Sequence, residues 1–248
     1  MPAQTIDEVI AQLDDIIERA RRQKSRLGYF AVLYRNVTVK VKEGIAAGSF
    51  EDGARMERLD VAFANRYLEA EAQYRRGERP SLCWLASFEA SHKWYPLVLQ
   101  HLLLGMNAHI NLDLGVAAAL TSPGDQLSAS QRDFDQINNI LCAMMDDVQD
   151  RLARVSKWMT LLDRAGCRTD EAIMEFSINK ARELAWRAAV KLAPLSPAEA
   201  RPVLDKLDHN AARLARLILI PGFTPTLANL AVRVSEPTDV AEIIDILN

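Results

Sequence analysis

His109 and Asp113 stand four residues apart, a spacing that brings two side chains together on one face of a helix. About 6 Å of axial rise separates them. Such a pair can share a metal ion, or the carboxylate can orient the imidazole as a proton acceptor. A plainer reading asks for no chemistry: a satisfied buried polar pair that fixes helix register. His101 lies roughly 12 Å further back along the same axis, too far for both histidines to ligate one metal.

The element that must position these residues is the stretch 96–120, PLVLQHLLLGMNAHINLDLGVAAAL. It reads as one helix that is apolar on nearly every side, and such a helix is normally surrounded by others. Its polar residues Gln100, His101, Asn107, His109, Asn111 and Asp113 must then find partners or line a cavity. At about 100° per residue, Gly105, His109 and Asp113 follow His101 in small angular steps, with Leu112 and Val116 in the same wedge. Gly105 costs about 1 kcal/mol of helix propensity against alanine, which marks a close approach by a neighbouring backbone or a ligand. Asn107 and Asn111 form a second polar row and are candidate ligand contacts or structural clamps. The length also fits a membrane span, but polar residues recur every few positions and no second long apolar run offers a partner, so no span is expected.

The remaining chain reads as helices that could enclose this one. Thr5 and Glu8 form a capping-box signature for the first. It ends in RRQKSR, where cations suit a helix C-terminus better than an anion or RNA patch. Residues 29–47 contain VTVKVK, which alternates like a strand, yet Phe30, Leu33, Tyr34, Val37, Val41 and Ile45 keep helical spacing and decide for a helix. The helix over 54–74 carries Asp60 near its core stripe, a carboxylate that needs a partner such as Arg66, Arg35 or the histidine-bearing helix. A long helix from Ser128 or Ser130 to about Asp163 buries Phe134, Ile137, Leu141, Met144, Val148, Leu152, Val155, Met159 and Leu162, with Asn138 at the edge of that stripe. Thr169 caps another helix to about Leu192. Its apolar face is read as Ile173, Phe176, Leu184 and Ala188, and Arg182 falls on the far side. Ser196, Pro197 and Glu199 open the next helix, which ends at Pro221-Gly222, and Thr238 opens a last one.

Two further motifs carry chemistry in other folds. Glu89 and His92 give the E-x-x-H spacing of di-iron bundles, but no other histidine has a glutamate three positions before it. Asp146, Asp147 and Asp150 match the D-D-x-x-D pattern of class I terpene synthases, where carboxylates hold magnesium against a diphosphate. Asp146 and Asp150 fall opposite the apolar stripe of their helix, which favours a solvated acidic face.

A chain of 248 residues with 49% hydrophobic and 25% charged content is ordinary for one globular domain. Its net charge of −3 argues against a general nucleic-acid binder. Three cysteines without C-x-x-C spacing make neither a disulfide framework nor a cysteine zinc site, and MPAQTIDEVI lacks the layout of a signal peptide. A cytoplasmic protein is expected. The segments MERLDVAFANRYL (56–68), HLLLGMNAHINLDLGVA (101–117) and FSINKARELAW (176–186) resemble a bacterial helical family of unknown function. That resemblance implies an all-α fold and brings no activity with it.

The sequence therefore predicts a single all-α domain over 1–248, roughly eight helices around a buried central helix at about 96–120. The leading functional reading is an enzyme or binding protein for a largely apolar small molecule. His109, Asp113 and His101 are the candidate catalytic residues, and Asn107, Asn111, Asp60 and Asn138 the candidate ligand contacts. His109 and Asp113 are also the metal candidates, while no cofactor is readable. A non-catalytic helical interaction module is the first alternative and a magnesium-dependent terpene synthase-like enzyme through Asp146, Asp147 and Asp150 the second. A homo-oligomer is compatible with all three.

Overall fold

A computed structural model describes residues 1–124, 126–156, 169–220, 230 and 232–248, the side chains of 169–177 excepted. The described residues are all-α, without a strand. Helix α1 spans Ile6–Gln23, α2 Leu27–Ala46, α3 Gly53–Arg75 and α4 Leu82–Ala90. The central helix α5 runs over Val98–Thr121. It is followed by a single helical turn at Gln126–Ala129, then α6 Gln131–Val155, α7 Thr169–Leu192, α8 Pro197–Leu219 and α9 Val240–Leu247.

Local chemistry sets most of the boundaries. The Thr5 hydroxyl accepts from the Glu8 amide at 3.2 Å and opens α1, and Lys24 closes it in a left-handed conformation (φ 51°). The basic run at that end is held by carboxylates near and on α9: Arg21 pairs with Asp245 at 2.7 Å and Lys24 with Asp239 at 3.7 Å. Asp208 on α8 accepts from the Leu82 and Cys83 amides at 2.7 and 2.9 Å, so one helix caps the start of α4 from a distance. Asp133 on α6 does the same at α3, accepting from the Glu51 and Asp52 amides and from Arg55. The VTVKVK stretch is helical within α2, with Phe30, Tyr34, Thr38 and Val41 buried. Helix α6 stops at Val155, short of the Asp163 end read from the sequence; Met159, Leu162 and Asp163 lie outside the described residues.

Helix α5 packs against α2, α3, α4, α6, α7 and α8. Among the described residues it is the one helix long and apolar enough to cross a membrane, and 78% of its most apolar window is buried inside the protein. Its hydrogen-bond ladder is not uniform. Over His109–Leu114 it widens to the π-type i to i+5 pattern before returning to α over Gly115–Thr121. Such single π turns occur mostly inside α-helices and often at functional sites.

Two glycines flank that turn, each where a neighbour comes too close for a side chain. A Cβ on Gly105 would lie 2.3 Å from the ring of Phe30 and 2.8 Å from its Cβ. A Cβ on Gly115 would lie 2.7 Å from the backbone oxygen of Ala185 on α7. The close approach read at Gly105 is therefore an aromatic side chain of α2. Alanine at 105 would gain about 1 kcal/mol of helix propensity in an open site. Here Gly105→Ala is expected to lower stability by about 1–3 kcal/mol through overpacking against Phe30. A raised thermal midpoint would show that Phe30 yields freely.

Candidate functional site

The Asp113 carboxylate is buried, with only 1% of its residue surface exposed. One oxygen accepts from Arg66 Nε on α3 at 2.8 Å. The other accepts from Trp84 Nε1 on α4 at 2.8 Å and faces His109 Nδ1 at 3.3 Å. A carboxylate taken out of water needs this many donors to remain tolerable. An ionised carboxylate has no hydrogen to give, so the oxygen shared by Trp84 and His109 accepts from both. That fixes the neutral imidazole tautomer: Nδ1 carries the hydrogen and Nε2 is left with its lone pair.

His109 sits in an aromatic cage. Phe63 stacks on it with ring centroids 3.6 Å apart and planes inclined by 8°, and Tyr34 meets it edge-on at 4.4 Å. Burial pushes its pKa below the ordinary histidine range, against the opposing pull of Asp113. Nε2 is buried without a hydrogen-bond partner, and so is the Tyr34 hydroxyl. Both residues line a cavity of about 120 Å³ enclosed by α2, α3, α5, α6 and α7. Its walls are otherwise apolar except for Arg182: Leu33 and Val37 from α2, Phe63 from α3, Met106 and Ile110 from α5, and Ile137, Leu141, Met144 and Val148 from α6.

The other sequence candidates separate from this site. His101 is buried eight residues earlier on α5, against Tyr29, and lines a different, much smaller void with Arg26 and Ser91. The ring of Phe30 lies between the two histidines, over Gly105. Burial lowers the His101 pKa to about 3, so it is neutral too. Asn107 donates to the Ala211 carbonyl of α8 at 2.8 Å and accepts from Asn111 at 2.9 Å, a clamp between helices. Asp60 is buried, but neither expected arginine reaches it: Arg66 holds Asp113 and Arg35 holds Asp14. One of its carboxylate oxygens is left without a partner, and burial raises its pKa from 3.8 to about 7. Asn138 accepts from Arg182 Nε through its side-chain oxygen. Asp146, Asp147 and Asp150 are exposed on α6, and Asp147 pairs with Arg151 at 2.9 Å. Among the described residues no three His, Cys, Asp or Glu side chains cluster as a metal site would need.

Arg182 is the residue the sequence reading misplaced. The spacing sets it on the far side of α7 from the apolar face that holds Leu184, whereas Arg182 is 5% exposed and Leu184 is 46% exposed. The face that packs holds Arg182, Ala185, Ala188, Ala189 and Leu192, so Ala188 is buried as read from the sequence, while the side chains of Ile173 and Phe176 lie outside the described ones. A signal was available. Lys180 and Arg187 both have Glu183 within one helical turn and pair with it, while the positions three and four away from Arg182 are Asn179, Ala185, Ile178 and Trp186. A cation with no acid three or four positions away, on a helix that supplies them to its neighbours, is a candidate for burial.

Residues 6–221 match the family of unknown function DUF5995. The chain belongs to that family. No curated protein and no solved structure matches it. The DUF5995 match covers Phe63, Arg66, Trp84, His109, Asp113 and Arg182, so the whole aromatic and ionic constellation lies inside the family region.

Two measurements test the site's architecture. Asp113→Leu strands the Trp84 indole and the His109 imidazole in the core, with an expected loss of about 3 kcal/mol or more in urea unfolding. Arg66→Met removes the carboxylate's one cationic partner and leaves a buried charge on neutral donors, so it should cost a comparable amount, about 3 kcal/mol. A loss near zero would show that Trp84 and His109 hold the charge without the ion pair.

Asp60 carries a pH signature. With its folded-state pKa raised to about 7, the folded protein keeps a proton that the unfolded chain gives up near its ordinary 3.8. Folding is thus penalised increasingly as pH rises through that window. Asp60→Asn removes the penalty, so its stability relative to the parent should improve by at least about 1 kcal/mol between pH 4 and pH 8. A difference that stays flat, or falls as pH rises, would contradict an uncompensated buried carboxyl.

Proposed function

We propose that this protein binds a largely apolar small molecule in the cavity beside His109, with the imidazole as the ligand's polar contact. One observation carries the reading. His109 lines an apolar cavity, and its Nε2 is a hydrogen-bonding atom that is buried and unpartnered. Buried polar atoms are normally satisfied, and one left open at a cavity is a place where a ligand group completes the set. The unpartnered Tyr34 hydroxyl on the same wall adds a donor beside the imidazole acceptor.

The cavity's size sets the scale of the ligand. A dry apolar cavity of about 150 Å³ accepts benzene, so about 120 Å³ suits a single ring or a short alkyl chain. A cavity touching His109 favours this reading over an interaction module, whose polar residues would only specify packing. The same arrangement suits proton transfer. Asp113 holds the Nδ1 hydrogen, which leaves Nε2 free to accept a proton from a ligand hydroxyl or an acidic carbon. Burial works against that step by lowering the basicity of His109, so binding is the primary reading.

Phenol and benzene separate the polar contact from the cavity itself. By calorimetry the parent is expected to bind phenol more tightly than benzene. His109→Leu should weaken phenol by about tenfold, the worth of one hydrogen bond, and leave benzene unchanged or tighter. If neither compound binds the parent, the cavity is not a ligand site. If both bind and His109→Leu affects them equally, the imidazole is not the contact.

A further inference from the structure

Among the described residues, the cavity that His109 lines has one charged residue on its wall, Arg182 from α7. Its guanidinium is almost entirely buried and lies over the Phe134 ring, 4.5 Å from the centroid. The Nε group donates to the Asn138 side-chain oxygen and one terminal nitrogen to the Phe134 carbonyl. Both acceptors are neutral, and among the described residues no carboxylate pairs with it. Among the described residues, Asp135, exposed on α6, is the one acidic residue whose field reaches it noticeably.

A buried cation held only by neutral acceptors lacks the counter-charge that normally makes burial tolerable. Burial lowers the Arg182 pKa to about 10, which still leaves it charged at neutral pH. Arginine is also the side chain whose planar fork best matches a carboxylate. The rest of the wall is hydrocarbon and aromatic surface with thioethers from Met106 and Met144, which can adapt to ligands of varied shape.

From this juxtaposition we infer that the ligand is an apolar monocarboxylate, its acid group paired with Arg182 and its hydrocarbon body lying along the wall toward His109. Asn138 is a positioning residue in this arrangement: it fixes the guanidinium so that the remaining N–H groups address the cavity. The inference rests on the ligand-binding reading of the cavity and adds the ligand's charge to it.

Butyrate and butanol, titrated into the full chain by calorimetry, decide the matter. Butyrate should bind about ten- to hundredfold more tightly than butanol, the range expected for a hydrogen-bonded charge pair out of water. Arg182→Met should erase that preference and leave butanol affinity in place. Asn138→Asp keeps the shape of the side chain and gives Arg182 an internal counter-charge. It should also erase the preference, in a protein whose thermal midpoint is raised, so the test does not depend on Arg182→Met folding. Butanol binding with no preference for butyrate in the parent would overturn the acid while sparing the cavity. A preference that survives Asn138→Asp would assign the acid to another cation and overturn the role of Arg182. Failure of butyrate, butanol, phenol and benzene alike would overturn both readings together.

Discussion

The desolvated carboxylate of Asp113 is the constraint around which the interior is arranged. A carboxylate this deep is tolerable only if its lone pairs are occupied, and the three donors come from three helices: Arg66 from α3, Trp84 from α4 and His109 from α5. Meeting that requirement fixes the depth and rotation of α3 and α4 against the central helix. It also fixes which nitrogen of His109 carries the hydrogen, and thus what the other nitrogen can offer the cavity. Stability and recognition meet at one carboxylate.

The cavity exists because its walls come from helices with different obligations. α3 and α4 are drawn to Asp113, α8 is tied to α5 through Asn107 and the Ala211 carbonyl, and α2 drops Phe30 onto Gly105. Among the described residues, helix α6 has no comparable polar tie to α5. It presents its apolar stripe at a distance, and the space between remains open on one side of His109. The polar groups that tie helices together at Asp113 and Asn107 are satisfied, whereas His109 Nε2 and the Tyr34 hydroxyl, on residues lining this space, are not.

The helices were legible because periodicity over a long window is a stronger signal than a short alternation. VTVKVK is the clearest case, a strand-like run overridden by the apolar spacing on either side of it. The importance of α5 was legible from polar residues on an all-apolar helix, and the meeting of His109 with Asp113 from their spacing. Three things were not. The grouping of His101 with His109 failed because an angular wheel ignores what lies between two residues along the axis, here the Phe30 ring. The partners of Asp113 lie 29 and 47 residues away, and nothing local in α3 or α4 points at them. Arg182 was misplaced because an arginine reads as a surface residue unless the absence of nearby acids is weighed.

The π turn between Gly105 and Gly115 has a consequence for how this helix tolerates change in length. A π turn holds one residue more than the α ladder would, so it acts as a phase offset between the two halves of α5. Upstream, Gly105 and His109 are set to face α2 and the cavity; downstream, Gly115 is set to meet the Ala185 carbonyl of α7. Removing a single residue within 109–114 would restore a regular helix with both halves still facing their present neighbours, because the wide turn takes up that residue within the same sweep. Regularising the turn at its present length would instead turn one half against the other by about 100°, aiming one set of contacts away from its partners. The irregular turn is the gear ratio of the helix: each half meshes with its own neighbours only because the count between them is uneven.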